Sequence, residues 1–178
     1  MSTEPLARLR SAIRDVPDFP KPGIVFKDIT PILGDAELFA LSIDAFVEAT
    51  RRLGNISKIV GIDARGFLFG AAVAYELRMG FIPIRKKGKL PYRCESAAYQ
   101  LEYGEAVAEM HVDALHPGER VVLIDDLLAT GGTAAAAAKL IRSIGAELVE
   151  AQFLIELEFL NGRHYLEGTP VRSFLPYA

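Results

Sequence analysis

The chain is expected to adopt an α/β fold, a central, mostly parallel sheet flanked by helices, in a single domain with at most a small appendage. Two observations lead there. From residue 58 onward, short apolar runs of strand length, such as KIVGI at 58–62 and RVVLI at 120–124, alternate with stretches of helical periodicity. The 178 residues are half apolar (51%) and about a quarter charged (24%), enough for one buried core and short for two.

Taken in order, Leu6, Leu9 and Ile13 recur at helical spacing and predict an amphipathic helix over 4–13. The segment 15–31 (DVPDFPKPGIVFKDITP) holds four prolines and a glycine, and is expected to run as an ordered loop without a regular element. Asp35 is a candidate N-cap for a helix to about residue 53, with Phe39, Ile43, Phe46 and Val47 on one face. A buried strand is predicted at 58–62, a helix at 67–79, strands at 81–84 and 120–124, and an Ala-rich helix at 133–144. Later strands follow at 147–157 and 171–175. Strands alternating with helices imply right-handed crossovers and a parallel sheet covered on both faces. Residues 86–104 are too polar and too long for a simple connection, which points to a lid.

Several classes of function are disfavoured. A net charge of −3 argues against a nucleic-acid partner, so any phosphate must be gripped locally. No apolar run reaches membrane-spanning length, and MSTEPLARLR lacks the apolar core of a secretory leader. Cys94 is the only cysteine, which forbids an intrachain disulfide and is compatible with the cytoplasm. His111, His116 and His164 lack metal-ligand spacing.

The strongest chemical signal is VVLIDDLLATGGT, residues 121–133. An apolar run delivers Asp125 and Asp126 to the end of a strand, and small residues then lead into a helix. In an open parallel sheet that edge is where ligands bind. Thr130, Gly131, Gly132 and Thr133 can wrap backbone N–H groups and two hydroxyls around a phosphate monoester at the positive end of the helix. The lysine of a Walker loop is missing, and two acids beside a phosphate cradle suit a ligand with sugar hydroxyls and a bound Mg²⁺, a ribose 5-phosphate. The bland alternative is a buried strand whose aspartates cap the next helix. A dehydrogenase is the weakest rival, because no GxGxxG follows a predicted strand.

This segment resembles the phosphoribosyl-diphosphate signature of the type I phosphoribosyltransferases. Three further stretches are similar to the adenine-specific members of that family: FPKPGIVFKDITPIL (19–33) to the base-recognition hood, GIDARGFLFG (61–70) to the pyrophosphate loop, and IRKKGKLP with YQLEYGEA to the catalytic loop. The likeness runs from about residue 5 to the C-terminus. It implies a single domain, 1–178, with the hood at about 1–34 and a flexible loop at about 86–105. The implied reaction, in purine salvage, is adenine plus phosphoribosyl diphosphate giving AMP and pyrophosphate, with Mg²⁺ carried by the substrate and a homodimeric assembly. Another purine (hypoxanthine, guanine or xanthine) is the alternative acceptor. Some relatives keep the motif as a sensor that regulates transcription; that reading calls for a DNA-binding appendage, for which 178 residues with a net charge of −3 are expected to leave no room.

By that resemblance Asp125 and Asp126 meet the ribose hydroxyls, directly and through the metal's hydration shell, and Ala129, Thr130, Gly131, Gly132 and Thr133 hold the 5-phosphate. Asp63, Ala64 and Arg65 form the pyrophosphate loop. Many relatives have Ser in place of Ala64, which removes any hydroxyl contact, and the family often holds the peptide from Asp63 to Ala64 cis. A guanidinium such as Arg65 can clamp a diphosphate bidentately, although a surface salt bridge is its alternative. Arg85, Lys86 and Lys89 are assigned to pyrophosphate, with Lys87 and Arg93 facing solvent. Otherwise the basic run is a solvated face. Val25 and Lys27 offer the adenine edge a backbone carbonyl and N–H, a contact that tolerates Lys27 where many relatives have Arg. Phe26 and Leu127 stack on the base, unless Phe26 is a core aromatic. Glu102 is the acid/base, with a solvated loop carboxylate as the alternative, and Tyr103 closes over the sugar.

Overall fold

The computed structural model describes residues 3–100 and 105–178. Helix α1 (Thr3–Ala12) buries Leu9 completely. Strands β1 (Arg14–Pro17) and β2 (Val25–Asp28) then pair antiparallel, with Val16 opposite Phe26 and an Arg14–Asp28 ion pair at 2.8 Å. This corrects the loop expected over 15–31. The prolines do not prevent the hairpin because Pro17 ends a strand, Pro20 and Pro22 lie in the connection, and Pro31 sits in the first turn of α2 (Thr30–Gly34). At those positions a missing N–H removes no ladder or helix bond.

The Asp35 carboxylate accepts the N–H groups of Glu37 (3.0 Å) and Leu38 (2.9 Å), starting α3 (Ala36–Leu53) where expected. Strand β3 (Lys58–Ile62) follows as read. Helix α4 (Arg65–Leu77) begins two residues before its apolar periodicity, because Arg65 and Gly66 carry no hydrophobic signal. Next come β4 (Gly80–Lys86), β5 (Cys94–Gln100) and β6 (Glu105–His111). The last two strands pair antiparallel with each other, and β6 pairs antiparallel with β4. The expectation of one continuous loop over 86–104 therefore gives way to strand at Cys94–Gln100, while 101–104 lie outside the described residues. β5 offers little apolar alternation to read, since among its described side chains only Ala97 is fully turned inward, opposite Ala108.

Strand β7 (Arg120–Leu128) runs four residues past the expected end. It is followed by α5 (Gly132–Ser143), β8 (Glu147–Leu157), two 3₁₀ turns (Glu158–Leu160 and Gly162–Leu166) and β9 (Val171–Tyr177). The main sheet has the order β5-β6-β4-β3-β7-β8-β9, and every pairing from β4 to β9 is parallel. Each face carries its own core. Val121 and Leu123 of β7 pack with Ala134, Ala137, Ala138 and Ile141 of α5, whereas Val122 and Ile124 pack with Phe46 of α3 and Phe69 and Val73 of α4. A strand apolar on both faces shows no alternation, which is why it reads as a continuous run. The alanines of α5 let it lie close to the sheet.

Candidate functional site

Where β3 and β7 end, the chain leaves the sheet for α4 and α5, and the two crossovers enclose a cleft of about 250 Å³. One wall is Asp63, Ala64 and Arg65; the other is Asp125 to Ala134. The Asp63–Ala64 peptide is cis. Arg65 opens α4 and sends its Nε to Asp126 Oδ2 at 2.8 Å, joining the two walls. Asp126 is only 4% exposed. Burial pushes its carboxyl up, Arg65 opposes that, and the net position stays above the usual carboxylate range. Asp125 stands well above it, through burial first and then through the charge of Asp126. The Asp126 N–H donates to Asp125 Oδ1 at 2.9 Å. The helix can come this close because residue 66 is glycine: a Cβ there would lie 2.7 Å from Asp125 Oδ1 and 2.8 Å from the Ile124 carbonyl oxygen.

The loop between β7 and α5 turns at Gly131, whose φ of +86° is a left-handed value natural to glycine. Thr130 and Thr133 flank it on the cleft wall, and the first amides of α5 follow. Beside the cleft, Asp63, Arg85, Lys86 and Thr133 line a pit of about 10 Å³. Arg85 Nε binds Asp63 Oδ2 at 3.0 Å, and its Nη1 donates to the Lys89 carbonyl at 3.1 Å. The Lys89 side chain is exposed, as are those of Lys86, Lys87 and Arg93. The N-terminal hairpin reaches the site through Phe26, whose ring lies 5.4 Å from the Arg65 guanidinium carbon and 5.2 Å edge-on from Phe19. Lys27 turns its ammonium to Asp15 (2.6 Å) and over Tyr177 (4.5 Å).

The fold thus gathers Asp63, Ala64, Arg65, Asp125, Asp126, Leu127, Ala129, Thr130, Gly131, Gly132 and Thr133 in one cleft. Arg85, Lys86 and Lys89 adjoin it. Val25, Phe26 and Lys27 lie on β2, outside the cleft wall, with Phe26 touching Arg65. Glu102 and Tyr103 lie outside the described residues. Sequence reading missed Gly66 and Glu109. The latter is 8% exposed and accepts the Gly88 N–H at 2.8 Å, under the basic turn. Its opposition to Arg85 across β4 and β6 depends on a pairing that no local signal announced.

A mostly parallel sheet covered on both faces, with a glycine-turned loop and paired acids at its carboxyl edge, defines an α/β protein of the sugar-phosphate-binding kind. The phosphoribosyl transferase domain family matches over residues 32–164. An adenine phosphoribosyltransferase from Neorhizobium galegae is 56% identical over 172 residues, 96% of this chain and 94% of that protein. The solved adenine phosphoribosyltransferase of Rhodothermus marinus superposes with a TM-score of 0.93 at 50% identity, covering 99% of this chain and 100% of its own. That of Saccharomyces cerevisiae, solved with adenine and an imino-altritol bisphosphate, gives 0.93 at 42% identity over 98% and 100%. The chain belongs to the phosphoribosyltransferase family and, within it, to the adenine phosphoribosyltransferases.

Proposed function

We infer that this chain transfers the 5-phosphoribosyl group from phosphoribosyl diphosphate to adenine, giving AMP and pyrophosphate in purine salvage. The carrying observation is the single cleft in which Asp125, Asp126 and the loop 129–133 face Asp63, Ala64 and Arg65. A monoester at the loop meets amides, two hydroxyls and the positive end of α5; a diphosphate on the far wall meets Arg65 and, next to it, Arg85 and the lysines. Between them the pentose lies against the two acids. The whole chain then works as one catalytic unit, with a base-recognizing hood built on the β1–β2 hairpin and a closing element that begins at the basic turn after β4.

Two adjacent carboxylates are the hard oxygen donors that Mg²⁺ takes, and the upward push on Asp125 is what a neighbouring cation would relieve. When carried in on the substrate, Mg²⁺ supplies charge compensation to the diphosphate. The chain's own part is to hold the departing diphosphate with Arg65, Arg85, Lys86 and Lys89, to position the base and to exclude water. Adenine offers a donor amino group and an unprotonated ring nitrogen, matched by the Val25 carbonyl and Lys27 N–H. Hypoxanthine reverses both and would leave buried groups unpaired. Phe26 and Leu127 stack on the ring, Glu102 moves the proton on the imidazole side, and Tyr103 covers the sugar. Leu68, Ala71 and Tyr75 stand exposed on one face of α4, which supports a homodimer. Among the described residues no helix is long and apolar enough to cross a membrane; with its lone cysteine the chain suits the cytoplasm.

Incubation with Mg²⁺, labelled phosphoribosyl diphosphate and each purine in turn tests the reading. AMP from adenine is expected, with the nucleotides of hypoxanthine, guanine and xanthine at a small fraction of that rate; comparable rates would overturn the base assignment. Glu102→Ala should cut turnover more than it weakens donor binding. Normal turnover would remove Glu102 from the mechanism.

A further inference from the structure

Gly162 is buried, yet it is absent from the cleft wall. It opens the second 3₁₀ turn after β8 and seats backbone to backbone against the loop 129–133. A Cβ at residue 162 would lie 2.2 Å from the Ala129 carbonyl oxygen and 3.1 Å from the Gly131 nitrogen; one at residue 131 would lie 2.3 Å from the Gly162 carbonyl oxygen. Both obstacles are main chain, which cannot swing aside as the end of a side chain can. Unlike Gly131, Gly162 does not have a left-handed φ, so its requirement is space alone.

The turn bearing Gly162 has no freedom to retreat. Arg163 forks onto Glu156 with two contacts of 2.6 Å, and also donates to the Val171 carbonyl (2.9 Å) and Ser173 Oγ (3.0 Å). Glu156 is 2% exposed and takes a further hydrogen bond from the Ser173 hydroxyl. Three residues on, Leu166 is 2% exposed and joins the core beneath α5. The turn is therefore tied to β8, β9 and the core, and it is against this anchored backbone that Ala129 and Gly131 of the loop lie.

We propose that Gly162 is a positioning residue for donor binding: the missing side chain lets an anchored turn brace the phosphate loop and fix where its amides point. The idea rests on the reading of 129–133 as the 5-phosphate site. A methyl group at residue 162 displaces the loop, since the turn cannot yield, and misaimed amides weaken the grip on a monoester. Arg163 acts one step further back, by holding the turn.

The test is calorimetric titration of the full-length protein and its Gly162→Ala variant with ribose 5-phosphate and, separately, with pyrophosphate. Ribose 5-phosphate binding should weaken by about tenfold or more, the scale expected of groups displaced by about an ångström, while pyrophosphate binding on the opposite wall holds within about twofold. Equal weakening of both ligands would mark a general loss of structure, and unchanged ribose 5-phosphate affinity would show that nothing is braced; either overturns the proposal. Failure of the unsubstituted protein to bind ribose 5-phosphate would instead remove the underlying phosphate-site reading. Should Gly162→Ala not fold, Arg163→Lys serves, with a smaller loss confined to ribose 5-phosphate; equal losses for both ligands there would also refute the bracing role.

Discussion

The contact between Arg65 and Asp126 allows an asymmetric prediction. Removing one partner of a buried ion pair strands the other, at a cost of about 3–5 kcal/mol when both are fully enclosed. Here the two differ: the Asp126 side chain is 6% exposed and that of Arg65 40%. Arg65→Met leaves a carboxylate in a dry site with only partial access of water, so the penalty is discounted to about 2 kcal/mol. For a chain of this length that lowers the thermal midpoint by about 4–8 °C. Asp126→Asn strands nothing, because Arg65 can turn to solvent, and it removes a buried charge; its midpoint should hold or rise. The double variant should recover most of the Arg65→Met loss, short of the roughly 0.5 kcal/mol belonging to the Arg65–Phe26 contact.

The pH dependence has a definite sign. The Asp126 carboxyl is already raised in the native state, and loss of the arginine raises it further. As pH falls through that native value the folded chain takes up the proton before the unfolded chain does, and so gains stability. The deficit of Arg65→Met should therefore shrink from pH 7.5 toward pH 5. Ligand-free calorimetric melts of the four proteins at both pH values are the assay. Equal destabilization by Arg65→Met and Asp126→Asn, or a deficit that grows in acid, would refute the reasoning.

Gly66→Ala should destabilize the protein by about 1–3 kcal/mol, because its methyl group meets the Asp125 carboxylate and the Ile124 backbone together; an unchanged melting point would mean that α4 can step back from the sheet. Burial raises the Glu156 carboxyl, but the hydrogen bonds from Arg163 and Ser173 outweigh it and hold the group below its usual range. Its contribution to stability is thus present above the unfolded value, near pH 4.3, and lost as pH falls through the lower native one. Glu156→Gln should cost about 1–3 kcal/mol at pH 7 and flatten the acid limb of an unfolding curve followed by circular dichroism. An acid limb as steep as in the unsubstituted protein would remove Glu156 from it.

What could be read without coordinates was what neighbouring residues settle among themselves. The Asp35 cap, the runs of β3, β7 and β8, and the stretch from Asp125 to Thr133 each hold their signal within a dozen positions. Local propensity, burial on both faces and small residues before a helix leave marks there that survive unfolding. The hairpin over 14–28 did not, because a proline count says where N–H groups are missing, and only the paired partner decides whether any was needed. Nor did β5 and β6, whose pairing rests on backbone bonds between weakly apolar segments. The salt link from Arg65 to Asp126, the opposition of Arg85 and Glu109, and the seat of Gly162 against Gly131 join parts of the chain that meet only after the sheet has assembled. Sequence determined which groups were available for chemistry; tertiary packing decided which face one another, because distance between remote residues is a property of the folded backbone and leaves no trace in local composition.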